Sequence, residues 1–167
     1  MDGKGTFAVK QTGFKTKTMS AARLGSNGSG AGAVRENRAA KLILVVDDDP
    51  MFRRDVCGFL EDEGFRTVAA WNGREAFGLL LTALEVPSLI ILDLVMDAVD
   101  GPEFRRRQRQ KQRLAEIPVL IVSGDPDGEL TAKALHAAGF LGKPLDADKL
   151  VGEIDRILET GPETETH

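Results

Sequence analysis

The chain has one cysteine, Cys57, two histidines, and no apolar run long enough to cross a bilayer. A single cysteine excludes an internal disulfide and any cysteine-built metal cluster, so Cys57 is expected to pack as a small apolar group on a helix. No continuous apolar stretch follows the N-terminal lysines, which argues against a secretory signal. The same region is poor in acidic residues, as transit peptides are, but its glycines make a poor amphipathic helix. No internal repeat is present. What is there, 42% hydrophobic and 29% charged residues in a length of 167, is the balance of one globular domain plus a tail. A reducing cytoplasm fits these features.

The net charge of −4 conceals an asymmetry. Residues 1–40 carry Lys4, Lys10, Lys15, Lys17, Arg23, Arg35 and Arg38 against Asp2 and Glu36, an excess of five positive charges that leaves an excess of nine negative charges on the remainder. A basic arm on an acidic body has the charge to touch nucleic acid, a membrane or an acidic protein; the plainer reading is a solubilising extension. Gly25 to Ala33 has the composition of a flexible linker. Residues 1–40 are therefore expected to be a disordered basic tail, 41–160 a folded domain, and 161–167 a disordered end.

From Lys41 onward, short apolar runs alternate with segments of helical period. Leu42 to Val46 reads as a strand covered on both faces. Pro50 opens a helix with Phe52, Val56, Phe59 and Leu60 on one stripe, which Gly64 stops. Arg66 to Ala70 is a second strand, with Trp71 expected to pack over the sheet edge, and Asn72 to Glu75 has capping-box spacing before a helix to about Leu84. Leu89 to Leu92 is a third strand and Val119 to Val122 a fourth, with a helix from about Pro102 between them. A helix from about Glu129 to Ala138, closed by Gly139, leads to a short fifth strand at Phe140 and Leu141. Asp146 can cap a last helix bearing Leu150, Ile154, Ile157 and Leu158. Five such units imply a parallel sheet with helices on both faces and chemistry beyond the carboxyl ends of the strands.

The residues at those ends are chemically coherent. The first strand ends in Asp47-Asp48-Asp49, the third in Asp93, the fourth in Ser123 and the fifth in Lys143-Pro144. Carboxylates converging from the first and third strands repel one another unless a cation intervenes. Oxygen ligands without histidine or cysteine favour Mg²⁺. A hydroxyl and an ammonium beside them suit the peripheral oxygens of a phosphoryl group, and an aspartate attacks phosphorus without first losing a proton. Asp93 is then the nucleophile and Asp47 and Asp48 hold the metal, one directly and one through water in an order the residues leave open.

Val45 to Pro50, Asp93 to Gly101, Ser123-Gly124 and Phe140 to Pro144, in this order and spacing, resemble the response-regulator receiver domain over roughly Lys41 to Leu158. The resemblance implies a flavodoxin-like three-layer α/β sandwich with strand order 2-1-3-4-5. It makes Asp93 the phosphoacceptor, Asp47 and Asp48 the acidic pair, and the Val95 backbone carbonyl a further Mg²⁺ ligand. Ser123 matches the switch hydroxyl and Phe140 the switch aromatic, and Gly124 is expected to give the ring room. The implied partners are a histidine kinase or histidine phosphotransfer protein and a downstream protein target, in a bacterial phosphorelay; homodimerisation is left open. The module assists its own phosphorylation and dephosphorylation rather than acting as a true enzyme. With few residues after the last helix, output is expected through protein binding. Asp97 stands where the family usually has proline, implying a looser loop after Asp93, and Val95 is apolar where a polar side chain is common.

Plainer explanations exist for each residue alone: post-strand aspartates cap helices, Lys143 can simply pair with one, and Phe140 can be core. The basic run Arg105, Arg106, Arg107, Arg109, Lys111 and Arg113 has no interleaved aromatic and sits on an acidic body, so a solvated helix face is favoured over a nucleic-acid surface. His136 reads as surface. One rival is a phosphatase of the haloacid-dehalogenase type using Asp47-x-Asp49, Ser123 and Lys143; it lacks an apolar strand after the lysine and leaves Asp93 without a role. The other is a phosphorylation-independent adaptor of receiver shape.

Overall fold

The computed structural model describes residues 14–15, 29–97 and 99–160, with backbone only for 14, 15 and 29–31. Five strands, β1 (Leu42–Val46), β2 (Arg66–Ala70), β3 (Leu89–Leu92), β4 (Val119–Ser123) and β5 (Gly139–Gly142), form a parallel sheet in the order β2-β1-β3-β4-β5. This is the expected order. Val46 lies level with Leu92 across β1 and β3, so Asp47 and Asp93 leave neighbouring strands at the same height.

Side-chain alternation splits the core in two. Ile43, Val45, Ile91, Leu120 and Val122 pack with α1 (Pro50–Asp62) and α5 (Ala147–Thr160). Leu44, Val46, Ile90, Leu92 and Ile121 pack with α2 (Gly73–Thr82), α3 (Gly101–Arg109) and α4 (Gly128–Ala134). Both faces of β1, β3 and β4 are covered, which accounts for their unbroken apolar runs. Asn72 and Asp146 cap helices as expected, and Asp49 and Asp100 do so as well. Asp49 accepts from Met51 and Phe52, Asn72 from Glu75, Asp100 from Glu103 and Asp146 from Lys149. Cys57 sits half-buried on α1 against the first core half. Among the described residues no helix is long and apolar enough to cross a membrane.

Four expectations are corrected. Ordered structure begins before Lys41: Ser29–Ala39 is a helix, although it contains part of the Gly/Ser run. Its hold on the domain comes from Arg38, which bridges Glu63 at 2.9 Å and Asp155 at 2.5 Å and lies 5.0 Å from the Phe65 ring centroid. Phe14–Lys15 also pairs in parallel with Leu145–Asp146. The remaining tail residues and 161–167, expected to be disordered, lie outside the described residues. Second, Trp71 does not pack over the sheet edge but is 58% exposed, and its backbone N–H donates to the Glu75 carboxylate. Third, α4 ends at Ala134 instead of Ala138. His136, at φ 50, closes it through bonds from its own N–H to Lys133 O and from Ala137 N–H to Ala132 O, and Gly139 opens β5. Fourth, the basic face of α3 is not wholly solvated, because Arg105 is buried.

Candidate functional site

The carboxyl ends of β1, β3, β4 and β5 meet at one edge of the sheet. Asp47, Asp48 and Asp93 each present a carboxylate oxygen within 4.8 Å of the others, with Asp47 and Asp93 buried and Asp48 exposed. Lys143 reaches back from the end of β5 and bridges two of them, its Nζ 2.6 Å from Asp47 Oδ2 and 3.0 Å from Asp93 Oδ2. The remaining oxygens are held by backbone. Asp49 N–H donates to Asp47 Oδ1 at 2.8 Å, and Val95 N–H to Asp93 Oδ1 at 3.4 Å.

Burial pushes the Asp47 carboxyl above its ordinary value, and the Lys143 hydrogen bond and charge pull against that shift. Burial also works to lower the Lys143 ammonium, but Asp47 and then Asp93 outweigh it and hold it above its ordinary value. One ammonium facing three carboxylates leaves the pocket net negative. An all-oxygen donor set of this kind, without histidine or cysteine, fits a hard divalent cation such as Mg²⁺.

Ser123 ends β4 almost fully buried; its Oγ accepts from Asp125 N–H at 3.2 Å, and its carbonyl accepts from Lys143 N–H at 2.9 Å. The fourth and fifth strand ends are thus tied together beside the aspartates. Phe140 is half-buried against the second core half. Its ring rests against Gly128, where a Cβ would lie 2.8 Å from Phe140 Cε2 and 3.6 Å from Ser123 Cβ, whereas a Cβ on Gly124 would meet only Lys143 Cβ at 3.9 Å.

The loop after Asp93 is fastened at several points despite Asp97. Leu94, Met96 and Val99 are buried, Gly101 N–H donates to Leu94 O, and Gly73 N–H donates to Val99 O. A Cβ on Gly101 would fall 2.5 Å from Asp93 O, so the start of α3 presses directly on the Asp93 backbone. Val95 projects an exposed side chain from this loop.

Two supporting residues escape the sequence reading. Phe52 places its ring 4.3 Å from Lys143 Nζ, and Arg53 Nη1 donates to Asp47 O at 2.6 Å. Phe52 occupies the apolar stripe of α1 and reads as core, which it also is. Arg53 has the spacing of any exposed helix arginine.

A family profile described as "Response regulator receiver domain" matches residues 43–155. Response regulator Rre1 of Synechocystis sp. is 34% identical over 119 residues, covering 70% of this chain and 51% of its own length. Protein PilH of Pseudomonas aeruginosa is 30% identical over 118 residues, covering 70% of this chain and 96% of its own. The crystal structure of a response regulator receiver protein from Pseudomonas putida is similar with a TM-score of 0.65 at 32% identity, over 70% of this chain and 97% of that one. The chain spans about half, or less, of the length of several other curated relatives it matches, such as the nitrogen assimilation regulatory protein NtrX of Azorhizobium caulinodans at 26%.

Proposed function

The chain belongs to the response-regulator receiver family, and on that premise we propose that it accepts a phosphoryl group on Asp93 and passes the signal on by binding another protein. The observation that carries this reading is the bridge from Lys143 to Asp47 and Asp93. It sets an ammonium beside the one buried aspartate that ends the central β3 strand.

An ionised Asp93 can attack phosphorus directly, with the leaving group departing from the opposite side and no proton to remove from the nucleophile. Lys143, 3.0 Å from Asp93 Oδ2, meets the incoming phosphoryl oxygens with a charge already in place. Asp47, Asp48 and Asp93, with the Val95 carbonyl, would hold Mg²⁺, which when bound neutralises phosphoryl oxygens. Ser123 Oγ, engaged with the Asp125 N–H, turns toward the phosphoryl group once it is present, and the Phe140 ring follows from its seat on Gly128. The donor is a histidine kinase or histidine phosphotransfer protein and the receiver of the signal a downstream protein, so the domain assists its own modification without turning over a separate substrate.

Incubation with acetyl phosphate and Mg²⁺ followed by intact-mass measurement tests this. The wild type should gain one phosphoryl group and Asp93→Asn none. Uptake that survives Asp93→Asn but is lost in Asp47→Asn would instead match the phosphatase arrangement.

A further inference from the structure

The basic run that begins on α3 and continues past its end at Arg109 plays no part in the phosphoacceptor site. Arg105, Arg106, Arg107, Arg109, Lys111 and Arg113 are set against only Asp100 and Glu103 in the same stretch, and Glu103 is shared by Arg106 and Arg107. Arg105 is 6% exposed, yet its acceptors are all neutral: Leu135 O, His136 O and Gln108 Oε1. These occupy three of the five N–H bonds of a guanidinium. Burial and the charge of Arg109, one helical turn on, push its pKa down to about 10. The carboxyl-terminal dipole of α4 offsets part of the Arg105 charge. Arg109, among the described residues, has neither an ion-pair carboxylate nor a hydrogen-bond acceptor in direct contact. Both arginines line a groove of about 770 Å³ between α3 and the end of α4, together with Arg106, Gln110, the apolar Pro102, Ala134 and Leu135, and two carboxylates that are already engaged, Asp100 capping α3 and Glu103 pairing with Arg106 and Arg107. That volume falls within the range of small-molecule sites.

We propose that this groove binds a phosphate-bearing ligand of nucleotide size, with Arg105 and Arg109 taking the phosphate oxygens and Pro102, Ala134 and Leu135 covering the apolar part. Guanidinium groups suit phosphate because they donate in pairs and are weakly hydrated. A concave site without stacking aromatics, on an acidic body, favours a small ligand over a nucleic-acid strand. The site is distinct from Asp93 and stands whether or not Asp93 is phosphorylated.

The test uses the full chain carrying Asp93→Asn, without Mg²⁺, titrated separately with inorganic pyrophosphate and with adenosine diphosphate. NMR would follow the amides of Ala134, Leu135 and His136 and the Nε–H of Arg105. Saturable shifts with both probes are expected, tighter for the nucleotide. Arg109→Gln, an exposed change that removes no partner, should weaken both by about tenfold while leaving the free spectrum intact. No saturable shift, shifts centred on Ser123 and Lys143, equal binding by Arg109→Gln, or no gain from the nucleoside would each overturn the proposal.

Discussion

Lys143 stands between two buried carboxylates, and its own charge survives burial because both lie within 3.0 Å. Removing it leaves Asp47 and Asp93 facing each other without compensation. Lys143→Met should cost about 2–3 kcal/mol, at or below the lower end for breaking a buried pair since the lysine side chain keeps 20% of its exposure. Urea unfolding measures this, and Mg²⁺ should restore part of the loss by supplying a cation in place of the ammonium. An undiminished midpoint would mean that the bridge contributes nothing. Gly128 carries a different constraint. A methyl group there would overlap the Phe140 ring at 2.8 Å, so Gly128→Ala should displace the ring at about 1–3 kcal/mol of overpacking. The ring resonances of Phe140 and the amide of Ser123 would shift together; unchanged Phe140 resonances would contradict the assigned contact.

At the level of elements, the loop from Asp93 to α3 decides where the acceptor sits. Its entry and exit are pressed together at Gly101, where an added Cβ would meet Asp93 O and Leu94 Cα at 2.5 and 2.8 Å. Backbone atoms cannot swing aside as a flexible side chain can. Gly101→Ala should therefore shift Asp93 and slow uptake from acetyl phosphate by about a hundredfold, the scale expected of a displacement near 1 Å. A full-rate variant would show that the loop tolerates the shift. The apolar runs of β1, β3 and β4 are legible because both faces are covered, and Asp47, Asp93 and Lys143 could be brought together from strand order alone. The helix Ser29–Ala39 was not legible, because a Gly/Ser-rich segment has little helix preference and its anchor, Arg38, depends on Glu63 and Asp155 far along the chain. The burial of Arg105 is hidden in the sequence for a related reason. A charged residue in a charged run reads as exposed unless the carbonyls it will meet, here those of Leu135 and His136, are known in advance. Likewise, the contact of Gly128 with the Phe140 ring is not legible in the sequence, because α4 brings the two together.

Taken whole, the molecule sets unbalanced negative charge at the carboxyl edge of the sheet and excess positive charge along α3 and the residues that follow it, with an apolar core on each face of the sheet. The first is suited to a metal-assisted phosphoryl group and the second to a soluble anion. The central claim is that the phosphoryl group lands on Asp93, and chemical trapping tests it most directly. Borohydride reduces an aspartyl phosphate to the alcohol, homoserine, and peptide mass spectrometry then locates the altered residue. After incubation with acetyl phosphate and Mg²⁺, homoserine should be found at position 93. Homoserine at position 47 or 48, or at no aspartate, would contradict the account.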